Sequence, residues 1–194
     1  KTEQIYGSIN DIGSKCFDGD TKLTTFYDSN NIGTLGDYAF NDCETLESVI
    51  FAGEISSMGI RPWAGCEVLT DVQFPNSNNY TCDLSIVYRM TTNTKTSVVE
   101  LLEGRTSKVE AAELATVTKH EDECFMGTNV KSISLHDSKV TEIPTRCFAD
   151  TKKIREIVLP SAQTAAYVII DDYAFMASEI KKITLPELNL ECPL

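Results

Sequence analysis

Residues 35–51 read "LGDYAFNDCETLESVIF" and residues 170–186 read "IDDYAFMASEIKKITLP". The tetrad Asp37-Tyr38-Ala39-Phe40 returns as Asp172-Tyr173-Ala174-Phe175. Both copies run on into an apolar stretch that alternates with polar residues. Anchoring on the aromatic finds its kin at Phe17, Phe40, Trp63, Phe125, Phe148 and Phe175, with successive gaps of 23, 23, 62, 23 and 27 residues. A fixed period in the range of about 20–50 residues marks a solenoid or array.

The rest of the unit follows from this register. A small residue precedes each aromatic: Cys16, Ala39, Pro62, Cys124, Cys147 and Ala174. Five or six residues after it an apolar residue opens a short strand, as in "LTTFY" (23–27), "LESVIF" (46–51), "LTDVQFP" (69–75), "VKSISL" (130–135), "IREIVLP" (154–160) and "IKKITLP" (180–186). Alternation at the strand ends is the pattern of a half-buried strand. Upstream, "DIGSK", "TLGDY", "SMGIR" and "TEIPT" place Gly or Pro before the aromatic, where unusual backbone angles or a fixed φ are expected. One unit cannot bury its own apolar face, so like residues must stack along an axis. D-Y-A-F is then a packing unit, and its reuse requires no ligand.

The gap of 62 residues equals one period plus 39, which implies an atypical unit at about 76–118. There "LSIVYRM" (84–90) and "SVVELLEG" (97–104) flank the polar "TTNTKT". Two β-branched runs around a short polar turn predict a β-hairpin. "KVEAAELATV" (108–117) predicts a short helix. Such an insert either caps a sub-core or projects as a recognition feature.

Bulk properties exclude more than they identify. The 194 residues suit a single domain, here 1–194, or a solenoid. Net charge is −12, which disfavours nucleic acid and anionic lipid as partners. Residues 1–85 hold 13 acidic against 4 basic side chains, and residues 86–194 hold 16 against 13. No apolar run is long enough to span a membrane as a helix. The chain begins with Lys1, the start expected of a processed or trimmed protein.

The unit at 35–51 resembles the BspA-type leucine-rich repeat, through Gly36, Ala39, Phe40, Cys43, Leu46 and Val49. The likeness recurs at Gly59, Trp63, Cys66, Leu69, Val72 and Pro75, and at Ile154, Ile157, Leu159 and Pro160. The stretch from "NNYTCDLSIVYRM" to "SVVELLEG" is similar to the hairpin that often interrupts such arrays. Two coils depart from the pattern: Phe125 and Phe175 are followed by Met, lack the Cys, and reach the next strand one residue sooner, which predicts tighter turns. The four extra residues before Phe175, in "SAQTAAYVII", predict a bulge. The resemblance implies an α/β repeat: a curved right-handed leucine-rich-repeat solenoid with a concave parallel β-sheet, short helical or irregular convex turns, and a β-hairpin insert. It also implies a secreted or cell-surface protein and an adhesive role, and it transfers no catalytic residue.

Seven cysteines invite a disulfide or metal reading. Cys16, Cys43, Cys66, Cys124 and Cys147 fall on repeat positions, where Cys acts as a small hydrophobe. Cys43–Cys66 and Cys124–Cys147 should lie on adjacent coils. Cys82 and Cys192 fall outside the register and are the candidates for a reactive or bridging pair. In "HEDEC", His120 stands four residues before Cys124, a spacing open to a metal or a Cys–His dyad. The register position of Cys124 favours packing instead, so no metal and no cofactor are expected. No phosphate-loop, dinucleotide, nucleophile-elbow or zinc-protease motif occurs.

The strand residues between buried ones should face the concave side: Thr25 and Tyr27; Ser48 and Ile50; Asp71 and Gln73; Ser132, Ser134 and His136; Glu156 and Val158; Lys182 and Thr184. Stacked strands would set them in rows about 4.8 Å apart. The expected protein is therefore a non-enzymatic, secreted or cell-surface adhesion module with an extracellular protein or glycan as partner. The alternatives are a structural spacer within a longer surface protein and, more remotely, a Cys-dependent enzyme at His120 and Cys124. The C-terminal "ELNLECPL" is expected to cap the array or to be a cut through a longer one.

Overall fold

The computed structural model describes residues 9–161 and 167–185. Residues 162–166 of the expected bulge before Phe175, the C-terminal "ELNLECPL" and Cys192 lie outside the described residues. The chain is a β-solenoid of about 7 turns with almost no helix. Coil one supplies β1 (Asp11–Ile12) and β2 (Thr25–Asp28), coil two β3 (Ile32–Leu35) and β4 (Ser48–Phe51), and coil three β5 (Ile55–Met58) and β6 (Val72–Gln73). They pair in two parallel sheets, β1-β3-β5 and β2-β4-β6. Phe26 lies opposite Val49, and Val49 opposite Val72, so the 23-residue period is the register of the sheet.

The aromatic turns form a third ladder. Phe17 N donates to Ala39 O at 2.8 Å, and Phe40 N donates to Pro62 O at 2.7 Å. The residue two places after each aromatic repeats the pattern, with Gly19 N on Asn41 O and Asp42 N on Ala64 O, both at 2.7 Å. These bonds satisfy backbone groups that a buried turn would otherwise orphan. Inside them the rings stack: Phe17 on Phe40 at 4.9 Å, Phe125 on Phe148 at 5.1 Å and Phe148 on Phe175 at 5.5 Å. Residues two before and two after each aromatic adopt positive φ in all six coils, from Lys15 (58°) and Gly19 (71°) to Tyr173 (57°) and Ala177 (52°). The Tyr of the tetrad is therefore a left-handed corner residue, the Ala is buried and the Phe stacks.

Gly36 and Gly59 have a different role from the one expected. Neither has positive φ. A Cβ on Gly36 would collide with the backbone of Ser14, and one on Gly59 with Asp37. Both glycines are required by the close approach of the preceding coil.

The insert is larger than a hairpin. β7 (Tyr80–Asp83), β8 (Ile86–Thr91) and β9 (Thr94–Leu101) form an antiparallel meander. Its corners, Leu84-Ser85 and Thr92-Asn93, have paired positive φ, which is the two-residue turn matched to strand twist. The expected helix at 108–117 contracts to a 3-10 turn at Ala111–Leu114. Val109 instead bridges Ile133 in parallel.

After the insert, β10 (Lys119–His120) pairs in parallel with β9. The solenoid then resumes with β11 (Ser132–Ser134), β12 (Glu142–Ile143), β13 (Glu156–Val158), β14 (Ile169–Ile170) and β15 (Lys182–Thr184). These form the parallel sheets β11-β13-β15 and β12-β14.

Two apolar cores result. One runs from Ile12 to Val72 and takes in Tyr80, Val87, Val99 and Leu102; the other runs from Val109 to Ala174 and takes in Ile86, Tyr88, Val98 and Leu101. β8 and β9 thus alternate their side chains between the two cores, as the period-2 pleat allows.

Candidate functional site

The register sets most of the predicted surface residues in rows. Thr25 lies opposite Ser48, and Tyr27, Ile50 and Gln73 are aligned across β2, β4 and β6. In the second sheet, Ser132, Glu156 and Lys182 form one row and Ser134, Val158 and Thr184 another. The inward partners Phe26, Val49, Val72, Ile133 and Ile157 are buried, which leaves these rows on the outer surface. Tyr27 is 39% exposed, a large ring beside the half-buried Ile50. Lys182 Nζ donates to Glu156 Oε1 at 2.6 Å. Asp71 precedes β6 and is exposed. His136 follows β11 and pairs with Asp137 at 2.7 Å.

The residues joining the two halves of the array are less visible in the sequence. Where coil three should meet a carbonyl row, two carboxylates take its place. Trp63 N donates to Glu100 Oε2 at 3.2 Å and Gly65 N to Glu103 Oε1 at 3.1 Å. The buried Arg61 is ion-paired with Glu103 and lies 3.9 Å from Glu100. Beside them the Tyr38 hydroxyl donates to Glu123, which pairs with Arg146 at 3.2 Å. Tyr38, Arg61, Glu123 and Arg146 all occupy the left-handed corner two residues before an aromatic, so one repeat position supplies a polar row across the junction. Burial pushes the Glu100 carboxyl up to about 7, against the lowering pull of Arg61.

Register also separates the thiols. Cys43 Sγ donates to Phe17 O at 3.0 Å and Cys66 Sγ to Phe40 O at 3.1 Å, a side-chain copy of the turn ladder. Cys16 differs from expectation: in the first coil it is exposed, not buried. Cys82 is half-buried against the first core. Every cysteine among the described residues is a free thiol.

The predicted neighbours His120 and Cys124 do come together, and Cys147 joins them from the next coil. One ligand atom from each lies within 4.8 Å of the others, and all three residues are buried. Burial drives the His120 imidazole down to about 3, and burial together with the hydrogen bond to Cys147 holds the Cys124 thiol well above its ordinary value. Neither shift favours a thiolate–imidazolium pair, which is the form a cysteine nucleophile needs.

The description "BspA type Leucine rich repeat region" matches residues 2–95 and 106–192, in six copies. No curated protein matches the chain in sequence. A leucine rich cell surface protein from Faecalibacterium prausnitzii is similar in structure, with a TM-score of 0.50 and 16% identity over 91% of this chain. The chain spans 57% of the length of that protein. A leucine-rich repeat protein from Eubacterium ventriosum aligns over 94% of this chain and 72% of its own length, at 15% identity and a TM-score of 0.36. At these identities the Faecalibacterium likeness bears on the fold alone.

Proposed function

Because the chain belongs to the BspA-type leucine-rich repeat family, we propose that it is a non-enzymatic binding module of a secreted or cell-surface protein, with an extracellular protein or glycan as ligand. The observation that carries this reading is the aligned outer face of the strands after the aromatic turns. Tyr27, Ile50 and Gln73 offer an aromatic, an aliphatic and an amide group in one row, on a rigid backbone. Ser132, Glu156 and Lys182 offer polar groups of both signs in another. A rigid ring amid polar neighbours is the common make-up of a recognition patch. The Faecalibacterium protein is described as a cell surface protein, which agrees with the location proposed.

The test is binding of the purified chain to a panel of extracellular matrix proteins and glycans, beside a Tyr27→Ala/Glu156→Lys/Lys182→Glu variant. The exchange of Glu156 and Lys182 reverses the local charges while leaving opposite charges at the paired positions, and the variant is checked for native folding before it is compared. Saturable binding that weakens by about 2 kcal/mol or more in the variant is expected, as for a contact at the centre of an interface. Binding undiminished in the variant would move the site to the meander. Absence of binding by both would favour a spacer role.

A further inference from the structure

We propose that His120, Cys124 and Cys147 form a binding site for a thiophilic divalent metal ion of the zinc class, with two thiolates and one imidazole as protein ligands. The site is built by the repeat. Cys124 and Cys147 are the small residues before Phe125 and Phe148, so the coil spacing places one Sγ 3.7 Å from the other. Two thiolates at the usual zinc–sulfur length of about 2.3 Å and a tetrahedral angle stand about 3.8 Å apart. A disulfide needs about 2.05 Å. The thiols thus already have the spacing a metal would impose.

His120 is the independent observation. It is 2% exposed, and neither ring nitrogen has a hydrogen-bond partner among the described residues. A buried polar group without a hydrogen-bond partner requires an explanation, and metal ligation through a ring nitrogen supplies one. Packing alone does not supply it: the ring meets Phe125 edge-on at 5.1 Å, which fixes its orientation but provides no acceptor and no donor. The other buried pair, Cys43 and Cys66, makes the contrast clear, since each of those thiols has a backbone carbonyl to bond. Among the described residues, the hydrogen-bond partner of Cys124 Sγ is Cys147 Sγ.

The donor set selects the ion. Two sulfurs and one nitrogen suit a borderline-soft metal and not calcium or magnesium, which take oxygen ligands. Three protein ligands leave a fourth position for water or an exogenous ligand. Binding converts two S–H groups to metal–sulfur bonds and releases two protons to solvent. A surface depression of about 250 Å³ reaches His120, and its wall carries Asp122 and Glu142, two carboxylates able to attract a cation.

The experiment is zinc titration of the full chain, reduced and metal-free, read by bound metal per chain and by thermal stability. Cobalt serves as a second probe, because thiolate ligation gives a charge-transfer band in the near ultraviolet. One zinc per chain, a raised Tm and the cobalt–thiolate band are expected. In His120→Leu, which removes an unsatisfied polar ring and should fold at least as well, affinity should fall by more than the roughly 10–100-fold that loss of an outer-shell partner costs. Cys147→Ser should abolish the cobalt band's two-thiolate intensity, while Cys43→Ala/Cys66→Ala should leave binding unchanged. A folded, reduced wild-type chain that takes up no zinc overturns the proposal. So does zinc uptake unaffected by His120→Leu and Cys147→Ser, or a Cys124–Cys147 disulfide formed in the native chain whose reduced form binds no metal.

Discussion

At the scale of single residues, Glu100 is the group whose chemistry and position are most at odds. It is fully buried, one oxygen accepts from Trp63 N, and the other has no hydrogen-bond partner among the described residues. Its carboxyl rises from an ordinary 4.5 to about 7 because burial disfavours the charge. A carboxyl raised in the folded state binds its proton more tightly there than in the unfolded chain. The stability this provides is fully present below about pH 4.5 and is lost as pH rises through about 7. Glu100→Gln keeps the acceptor for Trp63 N and cannot titrate. Urea denaturation at intervals from pH 4.5 to 8 should therefore show wild type losing about 3 kcal/mol relative to the variant across that window, at about 1.4 kcal/mol per pKa unit. Parallel pH profiles for the two proteins would show that Glu100 is not held in this environment. Nothing in the sequence marks this role. Phe40 and Phe148 were legible because the repeat states their environment twice over, whereas Glu100 stands 37 residues from Trp63 and no spacing rule joins them.

At the scale of elements, the same distinction between periodic and unique contacts decides what could be read. The strands β2, β4, β11 and β13 follow from alternation, and the hairpin of β8 and β9 from two β-branched runs about a polar turn. β7 was hidden because "NSNNYTC" is polar by composition. Its fully buried anchor is Tyr80, 1% exposed, whose hydroxyl accepts from Arg89 at 2.9 Å across the meander. The predicted helix at 108–117 failed for a tertiary reason. Arg105 grips Glu113 with two bonds of 2.7 and 2.9 Å and also reaches Leu84 O, and Val109 is drawn into pairing with Ile133. Helix propensity over so short a segment is easily overridden. The corner at Thr92-Asn93 can still be improved. Both residues have positive φ (50° and 58°), and a β-branched Thr is strained there. Thr92→Asn/Asn93→Gly installs the pair that this turn prefers. The change should stabilise the chain by about 1 kcal/mol, from relief of backbone strain, measured as a higher urea midpoint with an unchanged slope. A lower midpoint would show that the threonine is held by contacts beyond its turn.

At the scale of the whole molecule, the question is whether the two cores behave as one domain. Six register-matched aromatics imply a continuous array, but 62 residues separate Trp63 from Phe125, and a long insert can as readily divide an array as bridge it. Here the bridging contacts are specific. Val87 and Val99 face the first core while Tyr88 and Val98 face the second, so β8 and β9 cannot leave one core without exposing the other. Arg61 of coil three pairs with Glu103 and approaches Glu100 at the end of the meander, and Tyr38 of coil two reaches Glu123 in the next half. Solenoids unfold as coupled units whose cooperation depends on the interfaces between neighbours. We therefore expect one transition, with Trp63 fluorescence reporting the first core and amide exchange at Ile133 and Ile157 reporting the second. Arg61→Ala is the decisive variant. It strands buried carboxylates, a loss of about 3–5 kcal/mol for a broken buried pair. In one cooperative domain the Ile157 amide must lose the same free energy as Trp63, although Arg61 is not a member of the second core. Protection at Ile157 unchanged by Arg61→Ala, with the Trp63 transition lowered, would instead mean that the meander separates two independently folding stacks.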